Sequence, residues 1–127
     1  MNEEKLLQYA ENAAKYSYSP FSHFKVGAAL ITEQGKIYTG TNIENSSFSA
    51  TVCAERVAFF KAISEGETAF EAIAIYGSEN PCMPCGICRQ VMSEFCKSGF
   101  KIITKDKDGI SIHVLRELLP GAFTLGK

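Results

Sequence analysis

Two short runs hold residues whose types and spacing can do chemistry. Cys53-Ala-Glu55 stands just before one segment of helix formers, and Pro84-Cys85-Gly-Ile-Cys88 opens another. Two thiols separated by two residues can grip one Zn²⁺ from a turn and the first turn of a helix, and a third soft ligand leaves the fourth tetrahedral position open. Three protein ligands point to catalysis more often than to structure. Both helix N-termini would face the ion, where their partial positive charge and free N–H groups favour the thiolate forms. Glu55 lies two residues past Cys53 and is placed to turn toward the open position instead of coordinating. A carboxylate there can take a proton from water and deliver it to the substrate, as hydrolysis at an amidine-like carbon requires. Three thiolates and Zn²⁺ leave a net negative charge, part of which Arg56 would offset by donating to a sulfur.

The chain has five cysteines, Cys53, Cys82, Cys85, Cys88 and Cys96. An odd count without an export signal favours metal binding or catalysis over disulfides. Cys82 forms a second Cys-x-x-Cys with Cys85, and as a fourth ligand it would close the site and make it structural. A loop thiol is the preferred reading, because a closed site would leave Glu55 without a purpose. Cys96 reads as a small buried hydrophobe. His23, in a Pro/Ser loop, and His113, in a short strand, read as surface or internally satisfied histidines and not as ligands.

The elements that must position these residues follow from periodicity. Leu6, Leu7, Tyr9, Ala10, Ala13 and Ala14 recur at helical spacing within residues 3–16, behind Asn2 as a cap. Residues 25–32 and 36–41 read as two strands about the turn Glu33-Gln34-Gly35. A polar loop then leads to an apolar helix from Cys53 to Glu65, ended by Gly66, with Phe59 and Phe60 expected in the core. Residues 72–76 have the length of a buried strand, and the turn 81–85 opens a helix over 86–97 with Val91, Met92 and Phe95 on one face. Strands at 101–104 and 110–114 and a helical turn at 115–119, stopped by Pro120, complete the chain. This order predicts an α/β fold: a three-layer α/β/α sandwich with a mixed five-stranded sheet, in a single domain over 1–127.

Composition narrows the function. With 127 residues, 46% hydrophobic and 21% charged, the chain has the mixture of one compact domain, which excludes disordered and low-complexity scaffolds. Thirteen Lys plus Arg against fourteen Asp plus Glu leave a net charge of −1. No cationic surplus is available for a nucleic-acid backbone. Only short apolar stretches occur and the N-terminus is polar and acidic, so the expectation is a cytoplasmic protein without membrane or nucleic-acid partners.

Together, Cys-x-Glu and Pro-Cys-x-x-Cys match the zinc deaminase signature, in which His or Cys supplies the first ligand. Cys53 is the first ligand here. Further blocks, Pro20-Phe-Ser-His-Phe24-Lys-Val-Gly-Ala-Ala29, Gly40-Thr-Asn42-Ile-Glu44-Asn45 and Leu118-Leu-Pro-Gly-Ala-Phe123, extend the match. Over nearly its whole length the chain resembles the small, homotetrameric cytidine deaminases of nucleoside salvage. The resemblance implies one Zn²⁺ per subunit on Cys53, Cys85 and Cys88, with Glu55 as proton shuttle. Hydroxide would attack C4 of cytidine or 2′-deoxycytidine, releasing ammonia and leaving the uridine product. It implies also that Asn42 and Glu44 hold the ribose hydroxyls, that Phe24 packs beside the pyrimidine and that the Ala54 backbone contacts the base. Phe123 would reach in from a neighbouring subunit to close the pocket. These residue types suit the roles: an ionised acceptor beside an amide for a sugar hydroxyl, aromatic walls for a flat ring. The chain departs from the pattern at Phe48, where relatives often carry Tyr, and at Ile87, which replaces a small residue inside Cys-x-x-Cys.

Competing readings are another aminopyrimidine nucleoside as substrate, against which Asn42 and Glu44 argue, and a zinc-stabilised interaction module without activity. A polynucleotide deaminase lacks both the basic groove and the spare length. The second helix is apolar on more than one face, which suggests a subunit interface.

Overall fold

The computed structural model describes residues 2–78 and 82–126. Pro81, in the turn expected at 81–85, lies outside the described residues. Helix α1, Glu3–Ala14, starts where the Asn2 side chain accepts the Lys5 N–H at 3.1 Å, the cap expected from its type. Strands β1 (Val26–Thr32) and β2 (Ile37–Thr41) follow, then helix α2 (Ala54–Ser64), strand β3 (Phe70–Gly77) and helix α3 (Gly86–Phe95). Strands β4 (Lys101–Asp106) and β5 (Gly109–Val114) and the single turn α4 (Leu115–Leu118) end the fold. The five strands form one sheet in the order β2-β1-β3-β4-β5, with β3 and β4 parallel and the other pairs antiparallel. This is the mixed sheet the alternation predicts.

Strand β1 is buried along its whole length because it is central and covered on both faces. Ala29 and Ile31 join Leu6, Leu7 and Ala10 of α1 on one face. Val26, Ala28 and Leu30 point the other way, into a larger core with Ala58 and Phe59 of α2 and Met92 of α3. Phe59 anchors that side, with its ring edge-on to Phe70 at 5.3 Å and tilted against Phe100 at 5.9 Å. Burying such a side chain contributes about 2–3 kcal/mol. Phe60, expected in the core, is 48% exposed: it points away from the sheet that Phe59 covers. Phe95 likewise sits at the rim, 36% exposed, while Met92 takes the buried face of α3.

Two glycines set the spacing between layers. A Cβ on Gly27 would lie 1.8 Å from the Ala10 carbonyl oxygen of α1. One on Gly40 would lie 2.4 Å from the Ala54 carbonyl oxygen, in the first turn of α2. The bare backbone at Gly40 therefore lets the N-terminus of α2 rest directly on β2.

The topology gathers three connections at one edge of the sheet. Because β1 runs antiparallel to both β2 and β3, its start lies beside both their ends: Gly27 pairs with Thr41 and Val26 with Gly77. The segment entering β1, the loop leaving β2 and the loop leaving β3 therefore meet. They carry Phe24, then Asn42, Glu44 and Cys53, then Cys82 and Cys85.

Gly27→Ala is expected to cost about 3 kcal/mol, because the added methyl can only be housed by lifting α1 off the sheet. Urea denaturation measures it, and a loss below about 1 kcal/mol would show that the contact between layers yields easily.

Candidate active site

Cys53 and Cys85 are the N-cap residues of α2 and α3, and neither side chain caps its helix by hydrogen bonding. Their sulfurs thus stand at two positive helix ends without capping them. Cys88 follows within the first turn of α3, buried to 1% exposure. The three sulfurs all lie within 4.8 Å of one another. Cys53 Sγ and Cys85 Sγ are 3.7 Å apart, close to the ~3.8 Å edge of a tetrahedron with zinc–sulfur bonds of about 2.3 Å. Hydrogen bonding from Cys88, then from Arg56 and Cys85, holds the Cys53 thiol below the ordinary thiol range despite its burial. Cys88 is pushed the opposite way by that same bond and by burial. One thiolate is easy in this crowd and further ones are costly, so the donor set fits a divalent cation among the sulfurs. Arg56 Nη2 donates to Cys53 Sγ at 3.4 Å, the offsetting contact expected of it. Its Nε is buried without a hydrogen-bond partner among the described residues.

Glu55, in the first turn of α2, is 4% exposed. Burial, reinforced by the negative Cys53, raises its carboxyl to about 7. It lines a cleft of about 260 Å³ together with Phe24, Asn42, Glu44, Cys53 and Cys85. Ala54, fully buried, lines it too, as do Ser22 and Met83. Clefts of about 370 Å³, against α1 and α2, and about 460 Å³, beside α4, are roomier but lie away from the sulfur cluster.

Asn42 and Glu44 are largely committed to the protein itself. Asn42 Oδ1 accepts from Ser17 Oγ at 2.6 Å and from the Val26 N–H at 3.0 Å, and its Nδ2 donates to the Phe24 carbonyl at 2.8 Å. One amide hydrogen remains unspent among the described residues. Glu44 Oε1 accepts the Phe21 and Ser22 N–H groups at 2.9 and 3.2 Å, and Oε2 accepts the Ser22 hydroxyl. One lone-pair direction on Oε2 remains. The Ser22 hydroxyl, then the two backbone donors, hold this carboxyl below its ordinary range. A donor on Asn42 and an acceptor on Glu44, two residues that line the same cleft, are the complement of a hydroxyl, which accepts one hydrogen bond and donates one.

The remaining candidates are placed as follows. Cys82 is outside the sulfur cluster but is no surface thiol: it is 9% exposed and lines the cleft. It tucks under Gly77, where a Cβ would meet the Cys82 Cβ at 2.5 Å and Phe24 at 2.9 Å. Burial, then the charges of Glu55 and Cys53, push its thiol up to about 12, so it forms a neutral wall. Cys96 packs against the core, half-buried. His23 is exposed and His113 pairs with Ile102 in β5, and neither joins the cluster. Phe123 is 68% exposed and absent from the cleft lining; Phe48 is 82% exposed. Ile87 is also outward, 61% exposed. Sequence reasoning missed Ser22 and Met83 at the cleft, and only Ser22's position two residues before Phe24 hinted at it.

Comparison with known proteins agrees with this geometry. The family model described as the cytidine and deoxycytidylate deaminase zinc-binding region matches residues 1–104. A cytidine deaminase of Sporosarcina psychrophila is 48% identical over 98% of this chain and 93% of its own length. That of Halalkalibacterium halodurans is 45% identical over 98% and 96%. The crystal structure of cytidine deaminase from Burkholderia pseudomallei, 40% identical, superposes with a TM-score of 0.91 over 97% of this chain and all of that one. With family signature, full-length relatives, fold and a three-sulfur cluster in agreement, the chain belongs to the zinc-binding cytidine and deoxycytidylate deaminase family.

Proposed function

We propose that the chain catalyses the hydrolytic deamination of cytidine and 2′-deoxycytidine to uridine and 2′-deoxyuridine, with release of ammonia. It acts as a zinc-dependent hydrolase of pyrimidine salvage in the cytoplasm. The observation that carries the reading is that Glu55, buried to 4% exposure, lines the same cleft as Cys53 and Cys85, two members of the three-sulfur cluster. Cys53, Cys85 and Cys88 hold the Zn²⁺, which when bound supplies the Lewis acidity that activates water at neutral pH. Glu55 takes a proton from the attacking water and returns it to the departing 4-amino nitrogen. The C4–O bond forms, the C4–N bond breaks, and one water is exchanged for one ammonia.

The other residues bind and orient. Asn42 and Glu44 grip a ribose hydroxyl with their unspent donor and acceptor, Phe24 walls the pyrimidine, and the Ala54 backbone at the head of α2 meets the base. Arg56 offsets the charge on the sulfurs. The whole chain works as one domain, and its balanced charge suits a small nucleoside better than a polynucleotide. Among the described residues no helix is long and apolar enough to cross a membrane. Phe123, standing outside its own cleft, suits a homotetramer in which each site is completed by a neighbour. The outward rings of Phe48 and Phe60 support that assembly, since such apolar surface is costly in water.

Mixed with cytidine, the zinc-replete protein is expected to remove the cytidine absorbance band and release an equal amount of ammonia. Glu55→Gln should keep the metal and slow by at least ~10²-fold; turnover matching the parent would refute the role of Glu55. Elemental analysis is expected to give about one zinc per chain in Cys82→Ser and little in Cys88→Ser. Loss of metal from Cys82→Ser would instead make Cys82 a fourth ligand and the site structural. Sedimentation at micromolar concentration is expected to yield a particle of about four 13.9 kDa chains, and a monomer would remove the neighbour's Phe123 from the mechanism.

A further inference from the structure

We infer that Ser22 is a positioning residue for nucleoside binding, its one hydroxyl tying the carboxylate that grips the sugar to the ring that walls the base. The inference rests on the reading in which Glu44 meets a ribose hydroxyl and Phe24 the pyrimidine. Ser22 Oγ donates its single proton to Glu44 Oε2 and accepts the Phe24 N–H at 3.1 Å. Its own backbone N–H goes to Glu44 Oε1, beside that of Phe21. A carboxylate held on one oxygen can still turn about its terminal bond, whereas one held on both cannot. The hydroxyl therefore leaves the last lone pair of Oε2 with one fixed direction.

The backbone around Ser22 is bent to make this possible. His23, between Ser22 and Phe24, has φ +59, a left-handed conformation that residues with a Cβ seldom adopt. Its N–H bonds to the Ser19 carbonyl at 3.0 Å, closing the turn. The bend brings the Phe24 N–H back onto the Ser22 hydroxyl. From the far side, Asn42 Nδ2 holds the Phe24 carbonyl. Phe24 is thus fixed at its N–H through Ser22 and at its carbonyl through Asn42, and Ser22 itself lies on the cleft wall. A spacer serving the loop alone would need only one of the two hydroxyl bonds.

The test compares kcat and KM for cytidine and 2′,3′-dideoxycytidine in the zinc-replete parent, Ser22→Ala, Ser22→Thr and Glu44→Gln. Ser22→Ala is expected to raise KM for cytidine about tenfold with kcat within about threefold, and KM for the dideoxynucleoside less than about threefold. Ser22→Thr, which restores the hydroxyl at an exposed position, should return cytidine KM to within about threefold of the parent. An equal loss for both nucleosides in Ser22→Ala, no loss for cytidine, or no recovery in Ser22→Thr overturns the role. Glu44→Gln separates this from the reading beneath it. If Glu44→Gln penalises both nucleosides equally, Glu44 is no sugar ligand and both ideas fall. If it penalises cytidine alone while Ser22→Ala does not, only the role of Ser22 falls.

Discussion

As thiolates, three cysteine sulfurs within 4.8 Å of one another repel unless something positive stands among them, and the rest of the fold is organised around that constraint. Two of the sulfurs are placed on the N-cap residues of separate helices, so that each stands at a positive helix end. Arg56 adds a full charge from the next position but two along α2. These contributions reduce the repulsion without filling the centre of the cluster, which is left to the cation. The same helix ends place Glu55 in the first turn of α2, where a carboxyl is buried beside the charge it must work against.

Helix placement in turn rests on the sheet. The start of β1 lies between the ends of β2 and β3, so one edge collects the connections that carry the chemistry. Gly40 lets α2 approach β2 more closely than any residue with a Cβ would allow, which fixes the height of Cys53 and Glu55 above that edge. On the substrate side the same economy holds. Most of the hydrogen-bonding capacity of Asn42 and Glu44 is used to brace residues 17–26, and only the remainder is left for a ligand. In the proposed function, rigidity and recognition are drawn from the same two side chains.

The chain announces its elements well, because each carries a local signal. Asn2, Gly66 and the alternation around Gly35 mark boundaries that fall within a residue or two of those observed. The grouping of Cys53, Cys85 and Cys88 was legible from motif spacing. What was not legible depends on packing across the sheet. Phe59 and Phe60 are identical in type and adjacent in sequence, and only the orientation of α2 decides which is buried. Cys82 is buried because Gly77 has no side chain, a relation between residues on opposite sides of a loop. Ser22 is a common residue in a Pro/Ser-containing turn; its bond from the Phe24 N–H is local, but the one to Glu44 arises only once the loop leaving β2 is brought against it.

The long-range character of that edge bears on the order in which the molecule is built. Cys85 and Cys88 are neighbours on one helix and can meet a cation as soon as that turn forms. Cys53 is 32 residues from Cys85, and the strands that bring them together are themselves closed by contacts such as Lys25 N–H to Ser78 Oγ, 53 residues apart. Loop-closure entropy must be met before those contacts form. The Cys85–Cys88 pair is local, whereas Cys53 joins it only when α2 and β3, the elements between them, are folded against one another. A cation held by all three sulfurs would therefore tie two helix starts that are distant in sequence, and its binding energy would add to the stability of the unit between them.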